Sequence, residues 1–211
     1  MSQSFRLGVA GLGTVGAAVV RMIERRAAPL AAATGRDIRV TAVSSRDRAR
    51  ERGFDLSGLR WFDDPVALAR SGEVDCVVEL IGGSEGPARA TVEAALAAGK
   101  HVVTANKALL ARHGAALAQA AERAGVALAC EASVAGGIPV IKALREGLSG
   151  NAVSRVYGIL NGTCNYILTR MEREGLTFDA CLKDAQALGY AEADPTFDVE
   201  GFDTAHKLAI L

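Results

Sequence analysis

A chain of 211 residues suffices for one large domain or one and a half ordinary ones, and with half its residues hydrophobic and 23% charged it can fill a core. Lysine plus arginine and aspartate plus glutamate both number 24, so no long-range field recruits nucleic acid or an anionic membrane. The four cysteines (Cys76, Cys130, Cys164, Cys181) contain no C-x-x-C pair, which argues against a zinc knuckle or disulfide scaffold and fits a reducing cytosol.

The chain opens with a trap. Arg6 followed by L-G-V-A-G-L-G-T-V-G-A-A-V-V could pass for a signal peptide, but the glycines at 11, 13 and 16 fit another pattern better. No other stretch is apolar enough to span a bilayer, and the chain reads as soluble and cytoplasmic. Arg6 to Ala10 reads as a buried strand, and Thr14 to about Ala33 as one helix with Val15, Val19, Met22 and Ile23 on one side. Strand, G-L-G-T-V-G, helix is the context in which this glycine pattern binds a dinucleotide. Gly11 allows the tight turn, Gly13 lets backbone approach a pyrophosphate, and Gly16 lets helix and strand pack closely. The helix start at Thr14 and Val15 then offers free N–H groups to the phosphates.

The second strand is Ile38 to Val43. An acidic residue at its end would take the ribose hydroxyls of NAD; here the chain reads Ser44-Ser45-Arg46 instead. Small hydroxyls and a guanidinium suit a 2′-phosphate, so Ser45 and Arg46 point to NADP, with NAD as the alternative. Pro65 to Arg70 reads as a helix and Val74 to Ile81 as a strand, with Gly82 following it where ligands lie in such sheets. Pro87 to Ala98 reads as a helix and His101 to Thr104 as a strand. A-N-K, a helix to about Ala124 and a strand from Val126 to Cys130 follow. This α/β alternation describes a Rossmann-type doubly wound parallel sheet. Lys107 stands just past a core strand and opens a helix, a poor place for a cation, which suggests another job.

After Glu131 the pattern changes to S-V-A-G-G-I-P-V, a loop with carbonyls able to turn inward. Ile138 to Leu148 reads as a helix, and Ser154 to Leu160 alternates like a half-exposed strand. N-G-T-C-N-Y turns into a helix, and Thr177 caps another. The domains divide as 1–135 and 136–211. The second reads as an α+β domain for substrate binding and dimerisation, and a thin one: L-A-I-L at the end continues a helix without a stop, as in a truncated domain.

The last block, G-Y-A-E-A-D-P-T-F-D-V-E-G-F-D-T-A-H-K, is rich in carboxylates. Asp203 and Lys207 are four apart and share a helix face, whereas Glu192 must arrive from a loop, beyond Pro195 and Gly201. A loop carboxylate meeting a helix-borne Asp/Lys pair suits a small molecule carrying an ammonium group and a reacting oxygen. The bland alternative is an acidic loop and a surface ion pair.

With the glycine motif, A-N-K, N-G-T-C-N and G-Y-A-E-A-D-P…D…H-K in this order, the sequence resembles homoserine dehydrogenase over essentially its whole length. The resemblance implies a nucleotide-binding domain followed by a substrate and dimerisation domain, in a homodimer or higher homo-oligomer. It implies interconversion of L-homoserine and L-aspartate 4-semialdehyde with NAD(P)(H), on the route to threonine and methionine. By that resemblance Lys207 is the proton donor/acceptor, Glu192 and Asp203 hold substrate, and Lys107 lies near nicotinamide and substrate. Gly162 and Thr163 line the nicotinamide pocket. Main-chain oxygens of Glu131, Val134, Gly136 and Ile138 match a segment that binds a monovalent cation, Na+ or K+, in some relatives. Members of the family usually run on past this chain's end.

Three rivals stand beside this reading. Cys164 in N-G-T-C-N could be the nucleophile of a semialdehyde dehydrogenase, with His206 as base, though residue order around it differs from that family and Glu192, Asp203 and Lys207 would go unused. A non-catalytic NADP-binding fragment is the second. A metal site among the carboxylates of 192–203 is the third, and it lacks both EF-hand order and a histidine pair.

Overall fold

The computed structural model describes residues 4–211, which divide into two compact units at Gly137/Ile138. In the first unit, apolar runs form β1 (Ser4–Ala10), β2 (Asp37–Ser44), β3 (Arg60–Phe62), β4 (Cys76–Glu79), β5 (His101–Thr104) and β6 (Leu128–Ala129). They pair in parallel in the order β3-β2-β1-β4-β5-β6. Parallel pairing requires a crossover after each strand. These contain α1 (Thr14–Arg25) and α2 (Ala27–Thr34) before β2, α3 (Pro65–Arg70) before β4, α4 (Pro87–Ala97) before β5 and α5 (Lys107–Ala124) before β6.

Consecutive strand residues point to opposite faces, so a sheet covered on both sides is apolar at adjacent positions. Val9, Val43 and Val78 join one core with Leu12 and Val20 of the α1 side; their neighbours Ala10, Ala42 and Val77 join another with Leu68, Val92 and Leu109 from α3, α4 and α5. The sheet is a Rossmann-type doubly wound sheet.

Two details differ from the sequence reading. The helix expected over 14–33 breaks at Arg26 (φ −108°, ψ 15°), because Pro29 has no N–H to return to the Arg25 carbonyl. Its buried stripe is Gly16, Ala17, Val20 and Ile23, which leaves Val15 and Met22 exposed. The three-residue β3, half-exposed at Trp61 and Phe62, is too short to show periodicity in the sequence.

A 3-10 turn, Glu131–Ser133, follows β6. The second unit contains α6 (Val140–Lys142), which runs into a π turn at Ala143–Gly147, then α7 (Gly162–Glu174), α8 (Phe178–Ala187), α9 (Thr196–Val199) and α10 (Phe202–Ile210). Its core is Ile167, Cys181, Ala185 and Ala191, packed by Tyr166, Met171, Leu176 and Leu182. Asn161 caps α7 by accepting from the Cys164 N–H and Thr177 caps α8 by accepting from the Ala180 N–H. Arg170 ties α7 to α8 through Asp184 and pairs with Glu174 of its own helix.

The strand expected at 154–160 does not form. Among the described residues no segment pairs with it, and Val156, Tyr157 and Ile159 are exposed. An alternating pattern specifies a strand only where a neighbour takes its backbone groups. The helix expected at 138–148 is also reduced, to one α turn and the π turn. No helix among the described residues is long and apolar enough to cross a membrane.

Candidate active site

Strand order reverses between β1 and β4, so the crevice where such sheets take ligands lies beyond the carboxyl ends of these two strands. The turn after β1 is held by the Gly11 N–H, which donates to the Ser44 carbonyl at 2.9 Å. Gly11 has φ +100°, and a Cβ there would lie 2.5 Å from the Leu80 carbonyl oxygen; a Cβ on Gly16 would lie 1.9 Å from that of Gly11. Both positions therefore demand glycine. At Gly13 a Cβ would meet nothing within 4 Å, so this side of the turn is open to a ligand. Helix α1 starts there with no acidic residue in its first turn and with Thr14 and Val15 exposed. A pyrophosphate fits this cradle of backbone N–H groups and positive helix end.

Beyond β2, Arg46 is exposed, while Ser45 is half-buried and accepts from Arg52 Nη2 at 3.3 Å. Arg46, Arg48, Arg50 and Arg52 form a basic run, of which Arg52 is the buried member, 8% exposed. Its Nε donates to the Leu12 carbonyl (3.3 Å), its Nη1 to that of Arg50 (2.5 Å) and its Nη2 to that of Asp47, with Trp61 alongside. It thus ties the glycine turn to the loop after β2. Four arginines at alternate positions gave no signal that this one turns inward.

Lys107 is the first residue of α5, half-buried, directly after the cap Asn106, whose side chain accepts from the Leu109 N–H. Gly82 is exposed just past β4 with φ +87°. Of the four carbonyl positions matched to a cation segment, Glu131 opens the 3-10 turn, Val134 is buried, and Gly136 and Ile138 are exposed. Between them Ala135 has φ +50°.

In the second unit a polar cluster forms around Asn161. Besides capping α7, its Nδ2 donates to Asp198 Oδ1 at 2.8 Å and to Asp203 Oδ2 at 2.9 Å. Lys207 Nζ donates to Asp203 Oδ2 and to the Leu160 carbonyl, both at 2.6 Å. Asp203 and Lys207 pair along α10 with side chains 7% and 22% exposed. An ion pair this dry loses hydration and is held by its additional hydrogen bonds, here those from Asn161 and to Leu160. The cluster lies in a cleft of about 920 Å³ whose walls include Gly162, Thr163 and Tyr190. That is the volume of an ordinary small-molecule site.

Glu192 does not line this cleft. Its residue is exposed and its backbone carbonyl accepts from Gln186 Nε2 at 3.1 Å. Asp198 stands at the wall instead. The sequence placed Asp198 among the acidic residues and Asn161 in a helix-opening motif, without giving either a role. Cys164 Sγ donates to the Asp198 carbonyl at 3.3 Å, and burial, with Asp198 and Asp203 nearby, pushes the thiol above its ordinary pKa. That is the opposite of what an activated cysteine nucleophile needs. Among the described residues the buried His206 Nδ1 has no hydrogen-bond partner, and its ring lies edge-on to Phe197.

A doubly wound sheet with this glycine turn defines a nucleotide-binding α/β protein, and a helical unit with a lysine–carboxylate cleft follows it in the chain. Residues 11–131 match the family model for the NAD binding domain of homoserine dehydrogenase, and residues 139–211 match that for homoserine dehydrogenase itself. The homoserine dehydrogenase of Pseudomonas aeruginosa is 51% identical over 98% of this chain and 47% of its own length; that of Bacillus subtilis is 43% identical over 99% and 48%. The crystal structure of a homoserine dehydrogenase from Thiobacillus denitrificans superposes with a TM-score of 0.87 at 49% identity, over 98% of this chain and 48% of that one. A hyperthermophilic archaeal homoserine dehydrogenase, solved in complex with NADPH, superposes with a TM-score of 0.83 at 25% identity, over 99% and 68%. The chain belongs to the homoserine dehydrogenase family, and it spans about half the length of the curated relatives it matches.

Proposed function

We propose that this chain carries the cofactor unit and the proton-transfer cluster of an NAD(P)-dependent dehydrogenase that interconverts L-homoserine and L-aspartate 4-semialdehyde, in the synthesis of threonine and methionine. The observation that carries the reading is the Asn161–Asp198–Asp203–Lys207 cluster in its cleft. The nicotinamide, when bound, accepts hydride from C4 of homoserine or returns it to the aldehyde carbon. Every other step belongs to the chain's own side chains.

An ammonium has three N–H donors. Lys207 uses two within the protein, on Asp203 and on the Leu160 carbonyl, and the third serves the reacting oxygen. In reduction, Lys207 Nζ gives a proton to the aldehyde oxygen as hydride reaches the carbon, so that a hydroxyl forms and no free alkoxide is left. In oxidation, the neutral amine takes the hydroxyl proton as the C–H electron pair leaves. Asp203 holds the amine in line. Asp198 and Asp203 supply negative charge for the substrate ammonium, and Asn161 keeps both carboxylates turned inward. We assign Glu192 to the same substrate group from the loop and Lys107 to the second lysine of the reaction.

For the cofactor, Gly11, Gly13, Thr14, Val15 and Gly16 hold the pyrophosphate, Gly82 borders the crevice, and Ser45 and Arg46 favour the 2′-phosphate of NADP. Carbonyls of Glu131, Val134, Gly136 and Ile138 are proposed to hold Na+ or K+. We also propose a cytoplasmic homodimer.

The test is NADPH formation at 340 nm with L-homoserine, and again with NADP replaced by NAD, on this chain and on Lys207→Ala. Turnover lost in the variant with NADP binding intact supports the assignment. Normal turnover by Lys207→Ala would overturn it.

A further inference from the structure

One buried carboxylate takes no part in this chemistry. Glu79 ends β4 with its residue 0% exposed. Its Oε1 accepts from the Ile81 N–H at 2.8 Å and the Gly82 N–H at 3.1 Å, and its Oε2 accepts from Thr104 Oγ1 at 2.6 Å. Thr104 Oγ1 in turn accepts from the Asn106 N–H at 3.0 Å, and Asn106 Nδ2 donates to the Gly83 carbonyl at 2.7 Å. The bonds close a ring: the turn after β4, the end of β5 and the first turn of α5 are tied together through Glu79.

A fully buried carboxylate without a basic partner is costly, and an apolar residue would satisfy packing after Val77 and Val78. Among the described residues Glu79 pairs with no lysine or arginine. What it does is present acceptors to two consecutive backbone N–H groups and a hydroxyl. That fixes Gly82 and Gly83, at φ +87° and +84°, against the start of α5, where Lys107 stands. Both lie on the β4–β5 side of the switch point. The loop after β2 serves the adenosine half of a dinucleotide, so the β4–β5 side serves its nicotinamide half.

We infer that Glu79 is a positioning residue for the nicotinamide half of the cofactor: its ring with Thr104 and Asn106 holds the Gly82–Gly83 turn and the start of α5 in the geometry that receives it. The inference rests on the dinucleotide-binding reading above. Glu79→Gln keeps shape and can still accept from both backbone N–H groups, but its Nε2 is a donor facing Thr104 Oγ1, so the hydroxyl loses its acceptor. Thr104→Val cuts the same ring from the other side, and Thr104→Ser preserves it.

The experiment compares dissociation constants of NADPH and of 2′,5′-ADP, which carries the adenosine half alone, on folded protein confirmed by circular dichroism. Glu79→Gln and Thr104→Val should each weaken NADPH by about tenfold, the effect of one lost hydrogen bond to a charged group, and leave 2′,5′-ADP within about twofold. Thr104→Ser should bind both as the parent chain does. A role confined to stability predicts a lower Tm with both affinities unchanged, and general damage predicts both weakened together; either result overturns the inference. Thr104→Val decides the matter if Glu79→Gln does not fold. If the parent chain binds neither compound, the dinucleotide reading itself falls and takes this inference with it. If the parent binds both and the variants match it, only the inference falls.

Discussion

Asn161 concentrates two roles that a substitution can separate. Its Oδ1 caps α7 and its Nδ2 bridges Asp198 and Asp203. Asn161→Ala removes both, so stability should fall by about 1 kcal/mol for the cap, and kcat/KM for homoserine by roughly 10–100-fold as the carboxylates lose a donor. Serine caps as well as asparagine but is too short to bridge, so Asn161→Ser should recover most of the Tm and little of the activity. Calorimetry and the 340 nm assay on the two variants check this; full activity in Asn161→Ser would sever Asn161 from the cluster. The Asp203/Lys207 pair was legible in the sequence, because helical spacing of four is a local property. The bridge was not. Its partners lie 37 and 42 residues downstream, and nothing local says which way a capping amide turns its second group. Arg52 illustrates the same limit, since its acceptor at Leu12 lies 40 residues back.

At the scale of elements, legibility followed the source of each element's stability. The core strands announced themselves because a strand buried on both faces is a continuous apolar run. The run at 154–160 alternates just as a strand should, yet no described neighbour pairs with it, and sequence periodicity cannot supply one. Helix α1 was read with its apolar stripe displaced, because its buried face is built of Gly16 and Ala17 as much as of Val20 and Ile23, and small residues carry little hydrophobic signal. The start of the sheet offers a test of a different contact. Arg6 on β1 donates through Nε and Nη2 to both oxygens of Asp75, which precedes β4, and holds that carboxyl below its ordinary 3.8. The folded state therefore binds this proton less tightly than the unfolded one. The stabilisation is present above about pH 4 and is lost as pH falls through the lowered value. Asp75→Asn should lose stability at pH 7 and show a smaller further loss between pH 4 and pH 2. Urea midpoints across that range check it; an unchanged acid slope in the variant would show that the pair contributes nothing to acid sensitivity.

Across the whole molecule, the two units differ in what holds them. The first has a six-stranded sheet with packed cores on both faces, whereas the second packs α7 and α8 around four buried residues and has no described strand. A small unit with so limited a core is marginal by surface-to-volume scaling alone. The chromophores are sorted in the same way: the single tryptophan, Trp61, lies in the first unit, and the three tyrosines, Tyr157, Tyr166 and Tyr190, lie in the second. Urea unfolding followed at the two emissions should give separate transitions, with the tyrosine signal lost first. NADP bound by the glycine turn stabilises only what it touches. At a hundred times its dissociation constant it should raise the tryptophan transition by about 2.7 kcal/mol. If the two emissions change together, with and without NADP, the chain unfolds as one cooperative body, and the proton-transfer cluster shares the stability of the cofactor unit.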